Sequence, residues 1–267
     1  MDGKIVSLSQ KRIEALTPGI LKGKGVFETM RAYDGRIFAL KEHLRRLYKG
    51  GASLKMKFPY APEEIRRHLE STLQSNQLKN ARIRLTVWRS GTRMHTAIIV
   101  WPLMSLRKSE VSRGMKAMAV FLKEKFKLER PRIKSIRYQV FLKAYQEAKK
   151  KGYDEAVFLN GNNEIIEGSR SNVFIVRDKM LSTPSLRYGC LNGITRGYVL
   201  TIARRMGFSA KTSRITLDEL TKADEAFVTN SVWEIMPLTR VNHQRIGPGG
   251  VGFVTRKLLR EYKRLVN

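Results

Sequence analysis

Cysteine is almost absent from this chain of 267 residues, Cys190 being the only one. A single thiol forms no intramolecular disulfide, so a disulfide framework is excluded, and the usual multi-cysteine zinc sites go with it. Histidine is nearly as scarce: the four, at positions 43, 68, 95 and 243, show no metal-ligand spacing, and no metal is expected. Long apolar runs are missing too. No stretch approaches the roughly 18 uninterrupted apolar residues of a membrane span, and the N-terminus lacks a charged-then-apolar leader pattern. A cytoplasmic protein without membrane contact is therefore expected. Acidic residues are the last shortage, 23 against 52 Lys+Arg, for a formal charge of +29. So positive a field draws polyanions and small anions alike. The basic residues are spread along the whole chain, however, and no helix-turn-helix, zinc-finger or RRM-type pattern accompanies them. That spread argues against nucleic acid as a partner.

What is present reads as interspersed helices and strands, an α/β chain with α+β character and enough length to bury a sizeable core. In residues 1–10, Val6 and Leu8 sit at strand spacing, compatible with an edge strand. GVFETMRAYDGRIFAL, 25–40, holds two alternating runs about Asp34-Gly35, a dipeptide favoured in hairpin turns that need positive φ twice. KEHLRRLYK, 41–49, reads as a helix with Leu44 and Leu47 inward, interrupted at Gly50 and Gly51. Pro62 with Glu63 and Glu64 opens a second helix, to about Leu78. ARIRLTVWR, 81–89, and HTAIIVWPL, 95–103, are strands joined by the turn SGTRM. The polar, aperiodic stretch 104–114 reads as a linker, separating a small N-terminal α/β domain, 1–108, from a larger domain, 109–267. The larger domain starts with a strand at 115–122. An amphipathic helix at 139–151 carries Val140, Phe141, Ala144, Tyr145 and Ala148 on one face. Strands follow within 154–177 around Gly161-Asn162-Asn163, then a helix at 194–207, a strand, a short helix in ITLDELTKA, a strand at EAFVTN and a C-terminal helix at 252–265.

Composition and periodicity go no further than this. Seven segments in order, GVFETMRAYDGRIF, EHLRRL, IKSIRY, DEAVFLN, EGSRSNVF, GITR and TNSVWEIMP, resemble the fold-type IV pyridoxal-phosphate enzymes. That family includes branched-chain aminotransferases, D-amino-acid aminotransferases and aminodeoxychorismate lyases, and the resemblance covers roughly residues 20 to 265. It implies a two-domain architecture with a barrel-like sheet in the larger domain, pyridoxal 5'-phosphate as cofactor, and a homodimer.

The same resemblance implies roles. Lys134 in IKSIRY matches the lysine that takes the cofactor as a Schiff base, and Tyr138 the tyrosine that hydrogen-bonds its phenolic oxygen. Glu167 matches the carboxylate that keeps the pyridine nitrogen protonated, so that the ring can accept electrons. For the phosphate, Arg46 is the matching arginine, with Arg45 the alternative should the match be offset by one. A guanidinium suits a phosphate by its fork of donors. Ile194 and Thr195 open a helix whose free N–H groups bind anions, and Ser231 adds a hydroxyl.

Two features lean toward the lyases. Thr29 stands where they carry a threonine that assists proton transfer, although a strand threonine chosen for propensity is the plain alternative. TNSVWEIMP is also closer to theirs than to the GTAAEI of branched-chain aminotransferases. Arg93 and His95 lie where D-amino-acid aminotransferases grip the substrate carboxylate, and the lyases also use an arginine there. The leading expectation is thus conversion of 4-amino-4-deoxychorismate to 4-aminobenzoate and pyruvate. The alternative is an aminotransferase acting on D-amino acids or branched-chain L-amino acids. Either substrate is a small amine bearing a carboxylate.

Overall fold

The computed structural model describes residues 2, 24–103, 108–122 and 132–266. The expected edge strand about Val6 and Leu8 lies outside the described residues. The chain divides into two compact units, Met1–Met104 with Ile133–Tyr138, and Ser105–Arg132 with Gln139–Asn267. The hexapeptide 133–138, beyond the expected boundary at 108, thus packs with the first unit.

In the first unit, β1 (Lys24–Tyr33) and β2 (Arg36–Ile37) form the expected hairpin, with Tyr33 opposite Arg36. Asp34 and Gly35 take φ of 44° and 77°, as a tight right-twisting turn requires. Then come α1 (Leu40–Ser53), α2 (Pro62–Ser75), β3 (Ala81–Ser90) and β4 (Arg93–Pro102). The sheet order is β2-β1-β3-β4, antiparallel throughout. Strand alternation decides what is buried: Ala81, Ile83, Leu85 and Val87 of β3 have no exposure and pack against Leu47, Ile65 and Leu69 of the helices.

Three local expectations are corrected here. α1 does not stop at the glycines but runs through Gly50 and Gly51, because tertiary packing needs their missing side chains. A Cβ on Gly50 would sit 3.1 Å from Ile133 and one on Gly51 would enter the Phe58 ring, a gain that offsets the helix cost of glycine. α2 ends at Ser75 rather than Leu78, since Gln77 turns at φ 53° and Leu78 joins the core. The β3–β4 turn is only Gly91-Thr92, so that Arg93 already pairs with Ser90.

In the second unit the expected linker contains α3 (Lys108–Arg113), held by Val111 against the core and ended by Gly114 at φ 65°. β5 (Met115–Phe121), α4 (Gln139–Lys150), β6 (Glu155–Leu159), β7 (Ile165–Gly168), β8 (Asn172–Arg177) and β9 (Met180–Pro184) follow. The chain continues through α5 (Ile194–Arg205), β10 (Ala210–Ser213), α6 (Leu217–Thr221), β11 (Glu225–Asn230), β12 (Glu234–Val241), β13 (Gln244–Arg245) and α7 (Phe253–Val266). One sheet runs β10-β9-β8-β11-β12-β5-β6-β7, with β13 beside β12. β7 also lies against β8 and β9, which curls the sheet toward a barrel. β12 has no counterpart in the sequence reading, and Pro237 in its middle explains why: proline normally argues against a paired strand. The strand nevertheless pairs β11 on one side and β5 on the other, with an irregularity between Leu238 and Arg240. Among the described residues no helix is long and apolar enough to cross a membrane, and no three His, Cys, Asp or Glu are placed to hold a metal.

Candidate cofactor site

Lys134 owes its place to β1. The segment around it is strapped onto that strand by Phe27 N–H donating to Lys134 O (3.0 Å) and Ile136 N–H donating to Gly25 O (3.0 Å). The strap fits only because residue 25 is glycine: a Cβ there would stand 2.7 Å from Val87 O and 2.9 Å from Ile136. Lys134 Nζ lies 4.8 Å from the Phe27 ring centroid, and the Arg84 guanidinium stacks on the same ring at 4.0 Å. Tyr138 packs on Phe27 at 5.0 Å, with Arg84 donating to its hydroxyl at 3.5 Å. Thr29 is two residues from Phe27 on the same face of β1, directly opposite Arg84. The structure thus gathers Lys134, Tyr138 and Arg84 about one aromatic ring, with Thr29 on the same face of the strand.

The opposite face of β1 presents Glu28 to α1. Arg46 donates through Nε to Glu28 Oε1 and through a terminal nitrogen to Oε2, each at 2.7 Å, while His43 Nδ1 lies 2.8 Å from Oε2. Burial alone would raise the Glu28 carboxyl; Arg46 and then His43 outweigh it and hold the group well below the usual carboxylate range. Burial holds His43 below its ordinary value, opposed by Glu28. Of the two arginines, Arg46 turns inward and Arg45 stands on the exposed face. Arg93 is exposed at the start of β4. His95 stacks on Trp88 at 5.2 Å, with Nδ1 3.3 Å from Asp2.

In the second unit Glu167 sits in β7, 4% exposed, opposite Phe158 of β6. Its Oε2 accepts the Leu191 N–H at 2.8 Å, and its Oε1 is ion-paired with Arg132, whose guanidinium stacks on Phe141 at 3.9 Å. Asn172 Nδ2 donates to Leu191 O at 2.9 Å, so Leu191 is gripped from both sides. Two residues on, Gly193 caps α5 with its backbone pressed on the Asn172 side chain. This brings Ile194 and buried Thr195 to the open N–H end of that helix. Ser231 lies in the β11–β12 turn, which Asn230 organises: its Oδ1 accepts from Val232 N–H (2.9 Å) and Trp233 N–H (2.7 Å), and its Nδ2 donates to Arg170 O (3.1 Å). Cys190 is a packing residue. Burial pushes its thiol up, against Arg196 and Arg132.

These donor sets fit pyridoxal phosphate. Glu167 is a buried acceptor already stabilised by one N–H, as a ring N–H requires, and the α5 terminus with Thr195 offers donors for a phosphate. Sequence reasoning missed Glu28, His43, Arg84, Arg132, Glu155 and Asn230. The first carries a signal after the fact, as a carboxylate on the inward alternation of β1 facing EHLRRL. The others depend on contacts between segments distant in sequence.

The chain matches the family model for amino-transferase class IV over residues 25–241. It is 35% identical to a branched-chain-amino-acid aminotransferase of Pseudomonas aeruginosa, over 100% of this chain and 92% of the relative. A D-alanine aminotransferase of Listeria monocytogenes is 30% identical over 97% of this chain and 92% of its own length. Among solved structures, the branched-chain amino acid aminotransferase of Thermobaculum terrenum in its PLP form superposes with a TM-score of 0.82 at 27% identity, over 93% of this chain and 85% of that one. Matched across most of its length in sequence and fold, the chain belongs to the class IV aminotransferases, the fold-type IV family of pyridoxal-phosphate enzymes.

Proposed function

We propose that this enzyme transfers the amino group of a branched-chain amino acid to a 2-oxo acid. The observation that supports it most is the full-length likeness to a branched-chain-amino-acid aminotransferase. The lyase expectation, which rested on Thr29 and TNSVWEIMP, gives way: it finds no support among the relatives just named, which are aminotransferases. Thr29 is a half-buried strand residue opposite Arg84, a place that β-propensity accounts for without a catalytic role.

Pyridoxal phosphate is the cofactor; bound, it holds the substrate nitrogen and accepts the electrons released at the adjacent carbon. Lys134 would hold it through Nζ and would take and return the substrate proton at that atom. Glu167 would accept the ring N–H and keep that nitrogen protonated. Tyr138 would donate to the phenolic oxygen. The N–H groups at Ile194 and Thr195, the Thr195 hydroxyl and Ser231 would hold the phosphate, and the resemblance assigns it Arg46 as well, the guanidinium that the fold engages with Glu28. Arg84, which shares the Phe27 ring with Lys134, is the cation we assign to a substrate carboxylate. Arg93 and His95, the anchor expected from sequence, stay at the exposed end of the β3–β4 hairpin and against Trp88. We also place the enzyme in the cytoplasm as a homodimer, for which light scattering should return twice 30.7 kDa.

The test is substrate profiling of the purified protein loaded with pyridoxal phosphate. L-leucine with 2-oxoglutarate should give the branched 2-oxo acid and glutamate. Faster turnover of D-alanine would move the assignment to the D-amino-acid enzymes, and release of 4-aminobenzoate and pyruvate from aminodeoxychorismate would restore the lyase. Lys134→Ala should lose the cofactor's covalent visible band.

A further inference from the structure

Glu155 is a carboxyl group with no exposure, at the start of β6, and no cation pairs with it among the described residues. Its contacts come instead from the EGSRSN loop between β7 and β8. Oε1 accepts the N–H of Ala156 at 2.8 Å, the Ser169 hydroxyl, and at 3.2 Å a share of the Ser169 N–H, which also donates to Ala156 O at 2.8 Å; Oε2 accepts the Ser171 hydroxyl at 2.8 Å and, more distantly, the Arg170 N–H at 3.4 Å. Three of these five donors are backbone amides, which can only donate. Burying a carboxyl group costs several kcal/mol unless such donors replace water, and here they are almost all drawn from one short turn. Gly168 belongs to the arrangement, since a Cβ there would meet the Ser171 hydroxyl and stand 3.1 Å from Glu155 Oε2. Both serines of the motif therefore point at Glu155.

We propose that Glu155 is the positioning residue for Glu167, an inference that rests on the cofactor role assigned to Glu167 above. The connection is short in both directions. Glu167 immediately precedes Gly168, so a turn clamped on Glu155 fixes where β7 ends and which way its last side chains face. At the other end, Ser171 precedes Asn172, which holds Leu191 O, and the Leu191 N–H returns to Glu167 Oε2. Glu155 thus governs both the backbone that carries the Glu167 carboxylate and, through Asn172, its amide partner. Loosening the clamp misaims the acceptor that keeps the ring nitrogen protonated, and precision at such a site depends on the shell behind it.

The experiment uses the full chain with Glu155→Gln, which keeps shape and replaces an acceptor oxygen with a donor, beside Glu167→Gln. Three quantities are read: the Kd for pyridoxal phosphate, the pH midpoint of the bound cofactor's visible band, and amide exchange at Ser169 and Arg170 in cofactor-free protein. Glu155→Gln should weaken cofactor binding by roughly tenfold or more, move the band's midpoint in the same direction as Glu167→Gln, and speed exchange at Arg170 more than at Ser169, whose N–H keeps its bond to Ala156 O. A Kd within about twofold of wild type with an unmoved midpoint overturns the proposal, even if thermal stability falls, because a purely structural role predicts that pattern. If Glu167→Gln leaves the midpoint unmoved, the cofactor role of Glu167 is what fails, while exchange at the two amides still reports whether Glu155 holds the loop. Should Glu155→Gln not fold, Ser171→Ala removes one donor only and is read against the same criteria.

Discussion

Glu28 has no exposure, and what makes its burial tolerable is that both oxygens are engaged, by the fork of Arg46 and by His43. Breaking a buried ion pair from one side leaves the other charge uncompensated, so Glu28→Gln should cost about 3–5 kcal/mol in urea unfolding. The pH dependence follows from the directions of the two shifts. Glu28 is held below its ordinary 4.5, so its stabilisation is present above that value and is lost as pH falls toward the folded value. His43 is held below 6.5, so on acidification the unfolded chain takes up its proton first, and stability falls from about pH 6.5 downward. Cofactor-free wild type should therefore lose stability progressively below about pH 6.5, with a slope that steepens toward a ceiling of about 1.4 kcal/mol per pH unit, and His43→Gln should flatten that limb. A wild-type curve flat between about pH 7 and 5 would contradict the buried neutral imidazole.

At the scale of elements, the hexapeptide carrying Lys134 is held by backbone bonds to β1 rather than by any regular structure of its own. Its placement is set by how closely it can approach the strand. Gly25→Ala puts a methyl group 2.7 Å from both Val87 O and Trp88 Cβ. Overpacking of this kind costs about 1–3 kcal/mol, and lifting the strap should also weaken the covalent visible band of added pyridoxal phosphate. Thermal unfolding and absorbance together check this: a stability loss with an unchanged band would mean that the strap does not position Lys134. On the second unit the matching element is the β11–β12 turn, where Asn230 caps two amides and reaches Arg170. Asn230→Ala should raise the Kd for the phosphate ester without removing the band, as measured by titrating the apoprotein.

For the whole molecule, ligand linkage and net charge are the relevant quantities. A cofactor that binds only the folded chain stabilises it by about 2.7 kcal/mol at a hundredfold excess over Kd. Pyridoxal phosphate should raise Tm, and pyridoxal without the phosphate should raise it less. The formal charge of +29 gives labelled RNA something to bind at low salt. Charge spread over a surface is screened beyond about 8 Å at physiological ionic strength, so retention should vanish there. A shift that persists at that salt would identify a built polyanion site.

The elements are largely legible from residue order. Alternation in GVFETMRAY and the Asp34-Gly35 turn predict the first hairpin, and the periodicity of 139–151 predicts α4, because both are local properties of neighbouring side chains. The differences between sequence and structure are of one kind. Gly50 and Gly51 read as an interruption, Pro237 hides β12, and polar 104–114 hides α3, since in each case packing against distant residues overrides local propensity. The site divides in the same way. Lys134, Glu167, Arg46, Thr195 and Ser231 are proposed from sequence because each lies in a short motif. Glu28, Arg84, Arg132, Glu155 and Asn230 are not, because a buried carboxylate or guanidinium looks like any solvated one until its partners are known. Residue order alone therefore points to the family, the cofactor and most of the helices and strands, all carried by local pattern. Which charged groups are buried, and what satisfies them, is decided by the three-dimensional fold, because burial is a property of segments far apart in the chain brought together.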